Sequence, residues 1–126
     1  MKAKVKIVEP NGVVGILGGG QLGRMLALAA ARLGLRAHVF APAAECPAAA
    51  VAAAKTIASY TDEKALAAFA RAVDVVTYEF ENVPAATVEM LEQAGVVVAP
   101  GAKALAVAQD RLVEKDFVNA IGAATA

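Results

Sequence analysis

A short apolar run, a cluster of glycines and a helical repeat follow one another near the start of the sequence. Residues 13–17 read VVGIL, residues 18–23 read GGGQLG, and from Gln21 apolar side chains recur at helical spacing up to Gly34. An apolar run of this length is typical of a strand buried on both faces, and the change of period indicates a helix. The segment therefore predicts a strand, a tight loop and a helix.

The same alternation of strand and helix continues along the chain, with short connections. Further strands are expected at 36–40, 55–58, 73–79 and 96–99, and helices at 47–54, after the N-cap Thr61, from Pro84 to Gln93, at 102–108 and at 110–121. Such alternation predicts an α/β fold that is doubly wound, with a mostly parallel five-stranded sheet and helices on both faces. We assign residues 1–109 to this domain. Because the alternation stops near residue 110, we expect residues 110–126 to begin a second, truncated domain of a longer protein.

The composition of the chain argues against nucleic-acid-binding, membrane-spanning and secreted proteins. The chain has 126 residues, of which 59% are hydrophobic, and a formal net charge of zero. This balance argues against a nucleic-acid partner, which normally requires a basic excess. No apolar run is long enough for a membrane span or a secretory signal, so no membrane partner is expected. The single cysteine, Cys46, indicates a reduced, cytoplasmic setting and is interpreted as a bystander in a loop; His38 is interpreted as a packed strand residue.

The glycine cluster predicts a site for an anion. Gly18, Gly20 and Gly23 fit the pattern G-x-G-x-x-G between a strand and a helix, where backbone N–H groups and the helix N-terminus attract negative charge. A nicotinamide dinucleotide site would also carry an acid at the end of the second strand, about 20 residues further on. Here Ala41 and Pro42 stand in that region. The pattern therefore favours an anion but not NAD or NADP.

Two carboxylates follow the fourth expected strand, in the segment TYEFENVP. Glu79 and Glu81 alternate with Phe80, so on an extended chain both side chains would point the same way. Ligands of open α/β sheets bind beyond the carboxyl ends of strands, and paired acids suit an amine or hydroxyl groups. The alternative interpretation is that one carboxylate caps the helix near Pro84 and the other is solvated. With the glycine loop, the pair suggests a ligand that carries a phosphate at one end and an amine or hydroxyls at the other.

Three stretches of the sequence together resemble a known family. They are GILGGGQLGRMLALAAARLG, VDVVTYEFENVP and AQDRLVEKDFVNAIGAATA. They are similar to the N-terminal region of the 5-(carboxyamino)imidazole ribonucleotide synthases, purine-biosynthesis ligases of the ATP-grasp superfamily. The resemblance implies a Rossmann-like pre-ATP-grasp domain that holds 5-aminoimidazole ribonucleotide. It also implies a reaction in which ATP and bicarbonate form carboxyphosphate, whose carboxyl group is captured by the amine of the ribonucleotide.

The resemblance also assigns roles to individual residues. Five would bind substrate, with both glutamates near the ribose or the amine: Gly20, Gln21, Leu22, Glu79 and Glu81. Arg111, in the QDR segment, matches a position that reaches ATP. The remaining contacts to ATP and Mg²⁺ would come from a domain that this chain does not include, so no catalytic residue or metal ligand is expected here and the chain alone should be inactive. Relatives suggest a homodimer for the complete protein.

Residues 41–48 depart from the family pattern, and two other functions stay open. The segment after the second strand reads APAAECPA where an Asp-Pro pair is more usual, so any role of this loop is undecided. The alternatives are an NAD(P)-dependent oxidoreductase domain, which lacks its acid, and a stand-alone regulatory nucleotide-binding module. The helix DRLVEKDF argues against the module, because it is typical of the entry into a further domain.

Overall fold

The computed structural model describes residues 6–126, which form ten helices and strands in an alternating order. In chain order these are β1 (Val13–Leu17), α1 (Gln21–Arg32), β2 (Arg36–Ala41), β3 (Ala54–Ile57), α2 (Glu63–Ala72), β4 (Val75–Tyr78), α3 (Ala85–Gln93), β5 (Val97–Val98), α4 (Ala102–Gln109) and α5 (Arg111–Ala120). The strands form one sheet in the order β3-β2-β1-β4-β5, and every pair is parallel.

The centre of the sheet is β1, which pairs with β2 on one side and with β4 on the other. At its carboxyl end Leu17 lies opposite Phe40 of β2 and Tyr78 of β4. The chain winds outward from β1 in one direction through β2 and β3, and in the other through β4 and β5. The loops that follow β1 and β4 therefore leave the same edge of the sheet at the point where the winding reverses, which is where open α/β sheets bind ligands.

Helices cover both faces of the sheet, as the alternation of buried side chains shows. Ile16 and Val39 point into a small cluster with Ala27 of α1. Their chain neighbours Leu17 and Phe40 belong to a larger cluster on the opposite face. That cluster also contains buried residues of α2, α3 and α4, namely Leu66, Phe69, Ala70, Val88, Leu91 and Leu105. The predicted fold class is confirmed.

The predicted helix at 47–54 is wrong. Residues 47–51 form successive turns, with hydrogen bonds from Ala49 N to Cys46 O and from Val51 N to Ala48 O. Ala48 is completely buried, and its N–H donates to the carbonyl oxygen of Gly19 at 2.9 Å. This contact holds the segment against the glycine loop. Ala53 N donates to Ala37 O of β2 at 3.0 Å, and pairing with the sheet from this residue onward overrides the helix propensity of the alanines.

The cap of α2 lies one residue after the predicted position. Asp62, not Thr61, is the N-cap, and its Oδ1 accepts a hydrogen bond from Ala65 N at 2.9 Å. The hydroxyl of Thr61 instead lies 2.9 Å from the hydroxyl of Ser59 in the preceding turn. The cap belongs to Asp62 because its carboxylate also lies beside the positive end of the helix dipole.

His38 is packed inside the sheet layer, with 9% of its surface exposed. Its Nε2 lies 2.8 Å from Thr56 Oγ1 on the neighbouring strand, and its ring meets the ring of Phe69 edge-on at 5.0 Å between centroids. Burial lowers the pKa of His38, because the charged imidazolium loses solvation. His38 therefore has a structural environment away from the carboxyl edge of β1 and β4.

Candidate substrate-binding site

The glycine loop after β1 and the loop after β4 meet at the carboxyl edge of the sheet. The carboxylate of Glu79 joins them: Oε1 accepts a hydrogen bond from Gly20 N at 3.0 Å, and Oε2 accepts one from Gly23 N at 2.6 Å. Gly20 is the N-cap of α1, so the carboxylate lies at the positive end of the helix dipole. The loop binds an anion, and in this structure that anion is the protein's own side chain.

Three glycines leave no room for a side chain around this carboxylate. A Cβ on Gly18 would lie 2.2 Å from Glu79 Cγ, one on Gly20 would lie 2.9 Å from Oε1, and one on Gly23 would lie 2.6 Å from Gly18 O. Gly18 also has a φ of +120°, which L side chains rarely adopt. The close approach of Glu79 thus explains Gly18 and Gly20, and the carbonyl oxygen of Gly18 explains Gly23, without a bound dinucleotide.

The region where a dinucleotide-binding acid would stand is closed. Ala41, at the end of β2, is 2% exposed and packs in the cluster beneath α1. Glu45, which follows later in the loop, is exposed, and its side chain makes no hydrogen bond or ion pair with residues 6–126. Together with the use of Gly20 N and Gly23 N by Glu79, this arrangement disfavours NAD(P) at the glycine loop.

Glu81 does not share the environment of Glu79. The expected strand to residue 79 ends at Tyr78, and residues 79–83 form bends and a turn, so the alternation that would align the two carboxylates does not apply. Glu81 is exposed, and its backbone carbonyl accepts a hydrogen bond from Gln109 Nε2 at 2.8 Å. The strand is one residue shorter than predicted at this end: Glu79 N still donates to Leu17 O of β1 at 3.2 Å, while the side chain of Glu79 turns to the glycine loop.

The two first residues of α1 lie beside Glu79. Gln21 is exposed, and Leu22 is 56% exposed although it is apolar. A cavity of about 480 Å³ opens here, lined by Leu22, Met25, Leu26, Ala29, Tyr78 and Glu79. Its walls are apolar except for the carboxylate and the tyrosine, which is the usual composition of a small-molecule site. The structure therefore brings together Gly20, Gln21, Leu22 and Glu79.

Tyr60 lies near the same edge and was not identified from the sequence. Its ring stacks on Phe40 at 5.9 Å between centroids and lies 6.4 Å from the ring of Phe80. Burial, with smaller contributions from the nearby Glu79 carboxylate and Cys46, raises the pKa of Tyr60 to about 12. The hydroxyl therefore keeps its proton at neutral pH and can donate a hydrogen bond. The sequence feature that identifies Tyr60 as a candidate is its position shortly after the carboxyl end of β3.

Cys46 packs against the glycine loop from the side of α1. A Cβ on Gly19 would lie 2.5 Å from Cys46 Sγ, so this glycine and the thiol are in close contact. Cys46 is a free cysteine of intermediate exposure and contacts the cluster beneath α1. Residues 41–48 thus support the loop by packing.

Arg111 is not part of this cluster. It is the first residue of α5, its side chain is 84% exposed, and its only ion pair among residues 6–126 is with Glu114 at 3.4 Å. A groove of about 510 Å³ between α4 and α5, lined partly by Val107 and Phe117, contains none of the predicted site residues. No buried side chain of α5 anchors this helix within the described part of the chain.

Residues 6–126 contain neither a cluster of metal-binding side chains nor a helix that could span a membrane. Their His, Cys, Asp and Glu side chains form no group of three or more that could hold a metal ion. None of the helices they form combines the length and apolar character needed to span a membrane.

Comparison with known proteins identifies the family. The family model described as the ribonucleotide synthetase preATP-grasp domain matches residues 12–109. The chain belongs to this family. This preATP-grasp domain is 51% identical over 119 residues to N5-carboxyaminoimidazole ribonucleotide synthase of Brucella melitensis. The match covers 94% of this chain and 33% of that protein. The chain thus spans about a third of the length of this relative.

Solved structures of relatives share the fold of this preATP-grasp domain. The ADP complex of an N5-carboxyaminoimidazole ribonucleotide synthetase matches with a TM-score of 0.89 and 40% identity, over 94% of this chain and 31% of that one. The N5-carboxyaminoimidazole synthase of Aspergillus clavatus, in complex with ADP and 5-aminoimidazole ribonucleotide, matches with a TM-score of 0.80 and 32% identity, over 90% and 30%. The resemblance recognised in the sequence is confirmed at the level of family and fold.

Proposed function

We propose that this chain is the ribonucleotide-binding domain of an N5-carboxyaminoimidazole ribonucleotide synthase. The complete protein would use ATP and bicarbonate to carboxylate the amine of 5-aminoimidazole ribonucleotide. The observation that carries the proposal is the Glu79 carboxylate, held by Gly20 N and Gly23 N beside an apolar cavity at the switch point of the sheet. Family membership and the relatives described above support the same assignment.

The proposed role of Glu79 follows from its hydrogen bonds. Each carboxylate oxygen has two lone pairs, and each uses one on a backbone N–H of the glycine loop. The free lone pairs are therefore oriented and can accept from a ribose hydroxyl or an amine. Gln21, the exposed first residue of α1, carries an amide donor, and Leu22 offers an apolar wall in the cavity that Glu79 also lines. Glu81, which is exposed, would act as a second acceptor only if ligand binding brings the loop closer.

The phosphate of the ribonucleotide is not assigned to Gly20 N and Gly23 N, because Glu79 already occupies both donors. The most economical arrangement places the ribose or the amine at Glu79 and the phosphate further along the edge. Gln21, the first residue of α1, carries an amide donor, and Tyr60 carries a hydroxyl near Glu79. This differs from the arrangement suggested by the sequence, in which the loop itself would hold the phosphate.

ATP supplies the phosphoryl group that activates bicarbonate in the proposed reaction. Arg111 is the residue of this chain that would contact it, since its guanidinium is exposed at the start of α5. Because residues 6–126 offer no cluster of metal ligands, Mg²⁺ and the other ATP contacts are assigned to further parts of the complete protein. We propose that this protein is a cytoplasmic homodimer.

The proposal is tested with the complete protein that contains this domain. Its release of ADP should require 5-aminoimidazole ribonucleotide and bicarbonate together, and the product should be the N-carboxylated ribonucleotide. The 126-residue chain alone should give no turnover. ADP release that is independent of the ribonucleotide, or a carboxylated product formed by the chain alone, would contradict the assignment.

A further inference from the structure

Gln109 is the last residue of α4, and its side chain contacts the loop that follows β4. Nε2 of Gln109 donates to the carbonyl oxygen of Glu81 at 2.8 Å and to that of Val83 at 2.5 Å. A single amide group therefore bridges two carbonyls of the same loop. Both acceptors belong to the segment that begins with Glu79, the residue bound to the glycine loop.

Both sides of this contact are anchored in the core. Val83 is completely buried, and Leu105, one turn before Gln109 in α4, is 1% exposed. Between Glu79 and Val83 the backbone has no regular structure, so its path depends on contacts at its ends and on the bridge from Gln109. Because Val83 and Leu105 are already fixed in the core, hydrogen bonds between their two segments cost little additional conformational entropy.

The two residues after Gln109 begin α5. Asp110 caps this helix, since its Oδ1 accepts from Leu112 N at 2.9 Å and from Val113 N at 3.0 Å. Arg111 then extends from the first position of the helix. Gln109 thus binds the loop after β4, Asp110 caps α5, and Arg111 extends its guanidinium from the first position of that helix.

We infer that Gln109 is a positioning residue: it sets the geometry of the 79–84 loop for the ribonucleotide and ties that loop to the junction from which Arg111 extends. The inference rests on the proposed function, and Gln109 acts through the loop without touching the substrate. Its amide is suited to this task because it donates two N–H groups without introducing a charge beside the carbonyls.

The first test needs no ligand and uses the 126-residue chain. Gln109→Leu removes both hydrogen bonds at nearly constant size, and the matched control is Gln93→Leu, at the last residue of α3. Gln93 is exposed and makes no side-chain hydrogen bond to residues 6–126. Backbone order parameters from ¹⁵N relaxation should fall at residues 80–83 in Gln109→Leu only. Unchanged order parameters in this loop would overturn the inference.

The second test uses the complete protein and calorimetric titration with 5-aminoimidazole ribonucleotide. Without the bridge the loop must be ordered when the ligand binds, at a cost of about one residue's backbone entropy, so the dissociation constant should rise about 5- to 30-fold in Gln109→Leu. Binding of ATP alone should match that of Gln93→Leu. An unchanged ribonucleotide constant, or an equal loss of ATP affinity, would overturn the positioning role. Failure of the wild-type protein to bind the ribonucleotide would instead refute the proposed function, and the order parameters would still decide whether Gln109 holds the loop.

Discussion

The carboxylate of Glu79 and the backbone N–H of Gly23 lie 2.6 Å apart, although 56 residues separate them in the chain. The contact joins the loop after β4 to the first turn of α1 across the switch point of the sheet. A segment with the spacing of a dinucleotide fingerprint therefore already carries an internal anion. The same backbone geometry that serves cofactor phosphates elsewhere here orients a side chain.

Replacing Glu79 with glutamine should destabilise the folded chain. The new NH₂ group would face one of the two N–H donors, leaving it without an acceptor. We expect a loss of about 1–3 kcal/mol in the free energy of unfolding, measured by urea denaturation. Glu81→Gln is the control, because its side chain is exposed, and should change this free energy by less than about 0.5 kcal/mol. Equal effects of the two substitutions would contradict the structural role of Glu79.

The same Glu79→Gln substitution should affect substrate binding in the complete protein. Loss of a hydrogen bond between a charged carboxylate and the ribonucleotide corresponds to about 1.5–3 kcal/mol, or roughly ten- to a hundredfold in the Michaelis constant. The Michaelis constant for ATP should barely change, which steady-state kinetics with each substrate varied in turn would measure. If the ribonucleotide constant stays at its wild-type value, Glu79 is a structural residue only.

Gly23→Ala should be strongly destabilising. The added Cβ would lie 2.6 Å from the carbonyl oxygen of Gly18, a backbone atom that cannot move without shifting the loop. Overpacking of this kind costs about 1–3 kcal/mol or more. Gly34→Asn is the matched control: its φ is +76°, which asparagine tolerates, and a Cβ there would meet nothing within 4 Å. Thermal denaturation of both variants compares the two costs, and a Gly23→Ala midpoint at or above that of Gly34→Asn would refute the steric explanation.

The stability of the chain should fall when the pH drops below the ordinary pKa of histidine. Burial lowers the pKa of His38, so the folded chain binds this proton less tightly than the unfolded chain. The free energy of unfolding is therefore at its full value above pH 6.5 or so and decreases below it, by up to about 1.4 kcal/mol per pH unit. His38 is the single histidine of the chain, so His38→Gln should abolish this slope in denaturation curves between pH 5 and 8. A slope that persists in the variant would have to come from another group.

NAD and NADP should not bind to this chain. Glu79 occupies two N–H donors of the glycine loop, and buried Ala41 stands where the ribose-binding acid would be. Calorimetric titration should detect no heat of binding for either dinucleotide at micromolar protein. A micromolar dissociation constant would support an oxidoreductase and contradict the ligase assignment.

Much of this fold could be predicted because local sequence determines it. The apolar runs of β1 and β2 and the helical repeat after Gln21 are visible in the sequence, and β1 has the predicted bounds. The turns at residues 47–51 could not be predicted, because alanines are compatible with a helix and the pairing of residues 53 and 54 with β2 is a tertiary contact. The error at Thr61 has another origin: two adjacent residues can cap the helix, and the ordinary preference for aspartate over threonine at this position points to Asp62.

The candidate site was predicted only in its location. The strand-end rule placed Glu79 beside the glycine loop, and the structure agrees. That the carboxylate fills the loop could not be inferred, since it requires the three-dimensional distance between segments of the chain that are far apart. Gln109 leaves no signal in the sequence, because its partners are backbone carbonyls that any residue would provide.

The central position of β1 has a consequence for how the binding site comes into being during folding. The two hydrogen bonds of Glu79 close loops of 59 and 56 residues, whereas the pairing of β1 with β2 needs only the intervening helix. Closing the longer loops carries a larger entropic cost, which must be met before the contact yields any energy. The half of the domain that contains the glycine loop can therefore acquire its local structure before Glu79 arrives. The proposed ligand site is then expected to form late, after both halves of the sheet have docked.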